Sequence, residues 1–88
     1  SIADLAAEYG VSESTVKKHF RELYGEPPYS YLKRRRMEEA AFLLTSSEMS
    51  VTQIAEAVGY QNASKFSSAF RDIYSLTPSE YKRQAGLD

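Results

Sequence analysis

The stretch 29–45, YSYLKRRRMEEAAFLLT, contains no Gly or Pro and is rich in Leu, Ala, Glu, Lys and Arg, so it is expected to be one long helix. At about 100° per residue, Tyr29, Leu32, Met37, Ala40, Ala41, Leu43 and Leu44 share one broad half of its surface, with Arg36 inside that half. Tyr31 and Phe42 fall on the other side. A helix apolar on two sides needs a packed body against each. The flanking sequence supplies two such bodies.

Before it, 1–8 reads as a short helix capped by Ser1, with Asp4 in its first turn and an Ile2, Leu5, Ala6 stripe. Gly10 ends it. Ser12 caps a second helix over 13–24, whose stripe is Val16, Phe20, Leu23. Gly25 stops that helix, and Pro27–Pro28 lead rigidly into the central one, which ends near 45–47. After it, Ser50 and Gln53 have capping-box spacing. Val51, Ile54 and Ala55 repeat the first stripe, and Gly59 falls where Gly10 fell. Asn62 or Gln61 caps a helix with the stripe Phe66, Phe70, Ile73. Thr77-Pro78-x-Glu80 starts a last short helix over 79–83, and 84–88 is expected to fray.

The two flanks match at Ser1/Ser50, Ala6/Ala55 and Gly10/Gly59. After one inserted residue they match again at Phe20/Phe70, Arg21/Arg71, Tyr24/Tyr74, Pro28/Pro78 and Tyr31/Tyr81. Shared stripes arise easily between amphipathic helices. The strings FRELYG and FRDIYS, followed by Pro and Tyr at equal distances, point to duplication. Each flank has the outline of a helix-turn-helix unit. The expected fold is therefore all-α: two such units, residues 1–26 and 48–88, joined by a linker helix at 27–47, a homeodomain-like pair.

With Val16, Phe20 and Leu23 inward, the outward face of the second helix is Ser14, Lys17, Lys18 and Arg21. Its counterpart is Ser64, Ser67, Ser68 and Arg71, with Lys65 alongside. Lys and Arg donate to guanine acceptors and phosphates, and Ser and Thr bond base edges or phosphate oxygens. The net charge is only −1, but seven of the eleven cations lie within 17–36 against Glu22 and Glu26. Such a local basic surface binds phosphate even on a neutral chain. Arg36, inside an apolar arc, needs a partner. A carboxylate is favoured over a phosphate, while Lys33, Arg34 and Arg35 are expected to reach solvent or a DNA backbone.

Other classes find little footing. No Cys and a single His19 leave no metal site or cofactor to propose, no Gly-rich phosphate loop is present, and no triad forms around one His, so an enzyme is not expected. No apolar run approaches a membrane span. The competing class is a helical protein-interaction module, to which an exposed Tyr31 and Phe42 would contribute.

The string IAEAVGYQNASKFSSAFRDIYSLTPSEYK, 54–82, with Gly59-Tyr60, Phe66-x-x-x-Phe70-Arg71 and Thr77-Pro78-x-x-Tyr81, resembles the DNA-binding domain of the AraC/XylS family of bacterial transcription regulators. The segment YLKRRRMEEAAFLL resembles that family's linker helix. The resemblance implies sequence-specific binding to double-stranded DNA, both reading helices entering successive major-groove segments on one side of the duplex. By position, the contacts fall on Ser14, Thr15, Lys17, Lys18 and Arg21, and on Ala63, Ser64, Lys65, Ser67 and Ser68. It also implies an effector or dimerisation domain outside this fragment; a cytoplasmic protein is expected, and RNA polymerase is the candidate partner of the competing interaction module. The family's domain carries one more helix ahead of Ser1, so the surface around Leu5 and Phe20 is expected to be under-covered.

Overall fold

The computed structural model describes residues 1–86. Six helices follow one another: α1 (Ile2–Tyr9), α2 (Glu13–Tyr24), α3 (Pro28–Ser46), α4 (Val51–Ala57), α5 (Ala63–Tyr74) and α6 (Pro78–Gly86). The chain packs as two compact units, Ser1–Leu32 and the residues from Lys33 onward, with the division inside α3.

Local chemistry sets the helix starts. Ser1, Ser12, Ser50 and Asn62 each accept the backbone N–H three residues on, from Asp4, Thr15, Gln53 and Lys65. These bonds satisfy donors that a helix cannot satisfy internally. At α6 the pair is reciprocal: Glu80 N–H donates to Thr77 Oγ1 at 3.2 Å, and Thr77 N–H donates to Glu80 Oε1 at 2.9 Å. α3 ends on hydroxyls. Thr45 Oγ1 donates to the carbonyls of Ala41 and Phe42, and Ser47 Oγ to that of Leu43 at 2.7 Å. Those hydroxyls share carbonyls that the helix already bonds, Leu43 O also accepting the Ser47 N–H at 3.2 Å.

α6 runs to Gly86, past the expected end at Arg83. Gln84 and Ala85 favour helix and nothing before Gly86 interrupts it, so fraying at 84–86 is not found. The same expectation for 87–88 lies outside the described residues.

Both helix-turn-helix turns close identically. In the first, Gly10 N–H donates to Ala7 O and Val11 N–H to Ala6 O. In the second, Gly59 N–H donates to Glu56 O and Tyr60 N–H to Ala55 O. This six-to-one, five-to-two pattern needs a left-handed residue, and Gly59 supplies it at φ 95°. The turns after the longer helices diverge. Gly25 (φ 76°) is replaced in the second unit by Ser75 (φ 64°), which carries a β-carbon in a conformation costing about 1–2 kcal/mol for an L residue.

The second unit owns the core. Met37, Ala40, Ala41 and Leu44 of α3 pack with Ile54, Ala55 and Val58 and with Phe66, Ala69 and Phe70 of α5. In the first unit only Ala6 and Val16 are buried, where the small Ala6 lets α1 lie on α2. Several inward expectations fail there. Leu23 is 77% exposed, Tyr29 76% and Leu32 48%, because α1 and the first turn of α3 cover only part of α2. Phe42 is exposed at 66%, whereas Tyr31 is half-buried against Phe20 and Tyr24.

Aromatic rings close each unit in the same way. Phe20, Tyr24 and Tyr31 meet at centroid distances of 4.7, 5.3 and 4.7 Å; Phe70, Tyr74 and Tyr81 meet at 4.7, 5.4 and 5.3 Å. Burial, and the neighbouring Tyr81 and Glu38, raise the Tyr74 phenol above its ordinary pKa.

Two outcomes follow. Removing one methylene from buried Ile54 (Ile54→Val) costs about 1 kcal/mol, whereas Leu23→Ala stays within about 0.5 kcal/mol, both read by chemical denaturation. The second concerns pH. Hydrogen bonds from Thr77 hold the Glu80 carboxyl below the usual glutamate range. Its folded pKa is depressed, so the cap's contribution is present at neutral pH and lost as pH falls through that lowered value. NMR titration places the Glu80 midpoint below an unstructured glutamate's, and Thr77→Ala moves it upward.

Candidate nucleic-acid interface

Burial of Val16 fixes the rotation of α2 and sends Ser14, Lys17, Lys18 and Arg21 outward at spacings of three and four. All four are exposed. Thr15 is half-buried, its hydroxyl 2.9 Å from Ser12 Oγ, so it serves the cap as well as the face.

In the second unit, burial of Phe66, Ala69 and Phe70 fixes α5. Ala63, Ser64, Lys65, Ser68 and Arg71 are exposed and Ser67 is half-buried. The Lys65 N–H donates to Asn62 Oδ1 at 3.1 Å, leaving its ammonium as the one cation in the first turn of α5. Arg71 lies near enough to Glu80 to help lower that carboxyl's pKa, after the stronger effect of the Thr77 hydrogen bonds. Each set of candidate residues thus forms a face within its own unit.

Within the basic segment Lys33 departs from expectation, whereas the Arg34 and Arg35 side chains keep 40% and 62% of their surface in solvent. Lys33 Nζ is 2.9 Å from Asp72 Oδ2, tying α3 to α5 rather than reaching solvent or a duplex. Arg34 Nη1 is 3.1 Å from Glu38 Oε1, and Arg35 Nη1 3.9 Å from the same oxygen. Glu38 follows Arg34 by one helical turn, a spacing visible in the sequence; Asp72 lies too far along the chain to be read so. The expected carboxylate partner of Arg36 is not found. A β-carbon built on Gly59 would lie 3.4 Å from Arg36 Cζ, 3.6 Å from Nη1 and 3.7 Å from Nε, so the guanidinium stands over that turn instead. Among the described residues, the cations of 17–36 with no carboxylate within 4.0 Å are Lys17, Lys18, Arg21 and Arg36.

No helix among the described residues is long and apolar enough to cross a membrane. A family model described as a helix-turn-helix domain matches residues 5–84. An uncharacterized HTH-type transcriptional regulator of Haemophilus influenzae is 36% identical over 86 residues, 98% of this chain and 29% of its own length. The chain spans 19–29% of the lengths of the first curated relatives it matches. Among solved structures, a transcriptional regulator with an AraC-type DNA-binding domain from Chromobacterium violaceum superposes with a TM-score of 0.83 at 32% identity, covering 96% of this chain and 75% of that one. The DNA-binding domain of AdpA, solved in complex with a target DNA, superposes with a TM-score of 0.87 at 28% identity, covering 96% of this chain and 76% of that one.

The Asn62 cap holds the turn that presents Ala63, Ser64 and Lys65. Asn62→Ala lowers stability by about 1 kcal/mol while Asn62→Asp retains most of it, as measured by urea denaturation.

Proposed function

The chain belongs to the AraC/XylS family of helix-turn-helix transcription regulators, and from that premise we propose that it binds double-stranded DNA sequence-specifically through both α2 and α5. The observation carrying this reading is the α2 face: three exposed cations in helical register, none paired to a carboxylate among the described residues, at the positions where a helix-turn-helix unit meets the major groove. α5 presents the same register with hydroxyls in place of two of the lysines. The chain is the DNA-binding part of a bacterial regulator acting in the cytoplasm, with an effector or dimerisation domain elsewhere in the protein.

The roles divide by chemistry. Ser14, Lys17, Lys18 and Arg21 supply charge and long-reach donors, suited to guanine edges and phosphates. Ser64, Ser67 and Ser68 are short, so α5 has to approach closely, with Ala63 leaving room for a thymine methyl or a backbone. Lys65 and Arg71 flank them as phosphate contacts. The two helices occupy successive major-groove segments, about 34 Å apart along the duplex.

Lys17→Ala and Lys18→Ala test the first face. A lost base contact costs about 1–3 kcal/mol and relaxes preference at one position. A lost phosphate contact weakens binding to every sequence and makes the salt dependence shallower by about one. Unchanged affinity in both variants at about 0.1 M salt removes α2 from the mechanism. Footprinting is expected to protect two major-groove segments; a single protected segment removes α5.

A further inference from the structure

Among the described residues, Arg36 is the cation of 17–36 outside α2 that has no carboxylate within 4.0 Å. It projects from α3, half-buried, in the second unit. Three atoms of its guanidinium, Cζ, Nη1 and Nε, lie at 3.4, 3.6 and 3.7 Å from the position a Gly59 β-carbon would take. Three bonded atoms of one plane at nearly equal distances mean that the plane lies face-on to the turn. The face is therefore used by packing. The N–H donors of a guanidinium lie in its plane, at the edge. No carboxylate approaches Arg36 within 4.0 Å among the described residues, including Glu56 on the neighbouring α4. The equivalent space in the first unit is open: nothing lies within 4 Å of a β-carbon built on Gly10.

A guanidinium lying face-on over the turn, on a half-buried residue and with no carboxylate at its edge among the described residues, is a preorganised site for an oxyanion. Arg presents a planar fork that matches phosphate bidentately, and fixing the fork beforehand reduces the entropy lost on contact. The turn it covers leads directly into α5, whose first residues are assigned to the groove. We propose that Arg36 is a DNA phosphate-binding residue of the second unit, its guanidinium edge gripping the backbone beside the α5 N-terminus. This rests on the DNA-binding reading above. It also gives the serine-rich α5 face a charge that its own sequence supplies only at Lys65 and Arg71.

The test is the salt dependence of binding to random duplex DNA and to the promoter upstream of the protein's own gene, for the unaltered chain, Arg36→Gln, Arg36→Lys and Lys17→Ala. Arg36→Gln is expected to lose about tenfold in affinity for both duplexes. Its plot of log K against log salt becomes shallower by about one. Arg36→Lys keeps the slope and loses a smaller factor. An unchanged slope in Arg36→Gln, whatever happens to affinity, overturns the proposal and leaves Arg36 a packing residue. Should Arg36→Gln fail to fold by circular dichroism, the unaltered chain and Arg36→Lys are compared on duplexes carrying single neutral methylphosphonates. Their affinities are expected to converge at one position and differ elsewhere; a constant ratio at every position overturns it. If Lys17→Ala flattens the slope and Arg36→Gln does not, only this inference falls. If the unaltered chain shows no salt-dependent association with duplex, both readings fall.

Discussion

The two units share one arrangement of three rings, which Phe66 and Tyr60 extend in the second. Phe20 and Phe70 anchor the longer helix of their unit, Tyr24 and Tyr74 follow one turn later, and Tyr31 and Tyr81 come back across the Pro turn to complete the contact. Aromatic groups at these centroid distances attract beyond the area they bury. The consequence for function is rotational. A helix turns about 100° per residue, so seating Phe20 decides that Arg21 and, one turn earlier, Lys17 and Lys18 face outward. The same step at Phe70 places Arg71, Ser67 and Ser68. Displacing either Phe would turn the whole polar face, which is a larger change than losing one contact from it.

The two units use this device with unequal support. The second has α3 as an extra wall: Met37 and Leu44 are essentially buried, and Phe66 and Phe70 with them, each worth roughly 1.5–3 kcal/mol. The first relies on Ala6, Val16 and its ring cluster, with Leu5, Val11 and Leu23 exposed. Apolar groups around Leu5, Val16, Phe20 and Tyr29 line an open hollow there. Local opening follows contact density, so the first unit is the one expected to open more readily. It also carries the more charged of the two exposed helix faces. Strong electrostatics and weak packing therefore coincide in one half of the chain, and the converse holds in the other.

What could be read in the sequence was whatever depends on neighbours within about five residues. Ser12, Ser50 and Thr77 were legible as caps, Asn62 as one of two candidates with Gln61, and Gly10, Gly25 and Gly59 as stops, because the bonds they make are local. The ring clusters were half-legible: the matched Phe, Tyr and Tyr showed that something was repeated, and the distances then showed what. Exposure was least legible. Leu23, Tyr29 and Leu32 obey helical spacing, yet spacing identifies a shared side and not whether anything lies against it. Lys33 failed for a different reason, since its partner Asp72 is distant in sequence and local to it only after folding. The end of α6 was missed because Gln84 and Ala85 are helix formers with no stop signal before Gly86.

Net charge is the least informative number for such a chain. A total of −1 conceals a sorting of cations by geometry. Lys33, Arg34 and Arg35 are taken up by Asp72 and Glu38, and exposed pairs of this kind contribute little stability. Their effect is to subtract. Each carboxylate offsets one cation that a residue count would assign to the binding surface, Arg34 and Arg35 sharing the single Glu38. Among the described residues, the cations of 17–36 with no carboxylate within 4.0 Å are three on α2 and Arg36 of α3, set on the α4–α5 turn. Screening at physiological salt confines each to about 8 Å, so only cations already at the surface a duplex touches contribute fully to its affinity. Glu13 and Glu22 lie on α2 itself, so the charge of that helix is the balance of its own residues, and the proposed contact with a polyanion depends on where its cations face rather than on the total.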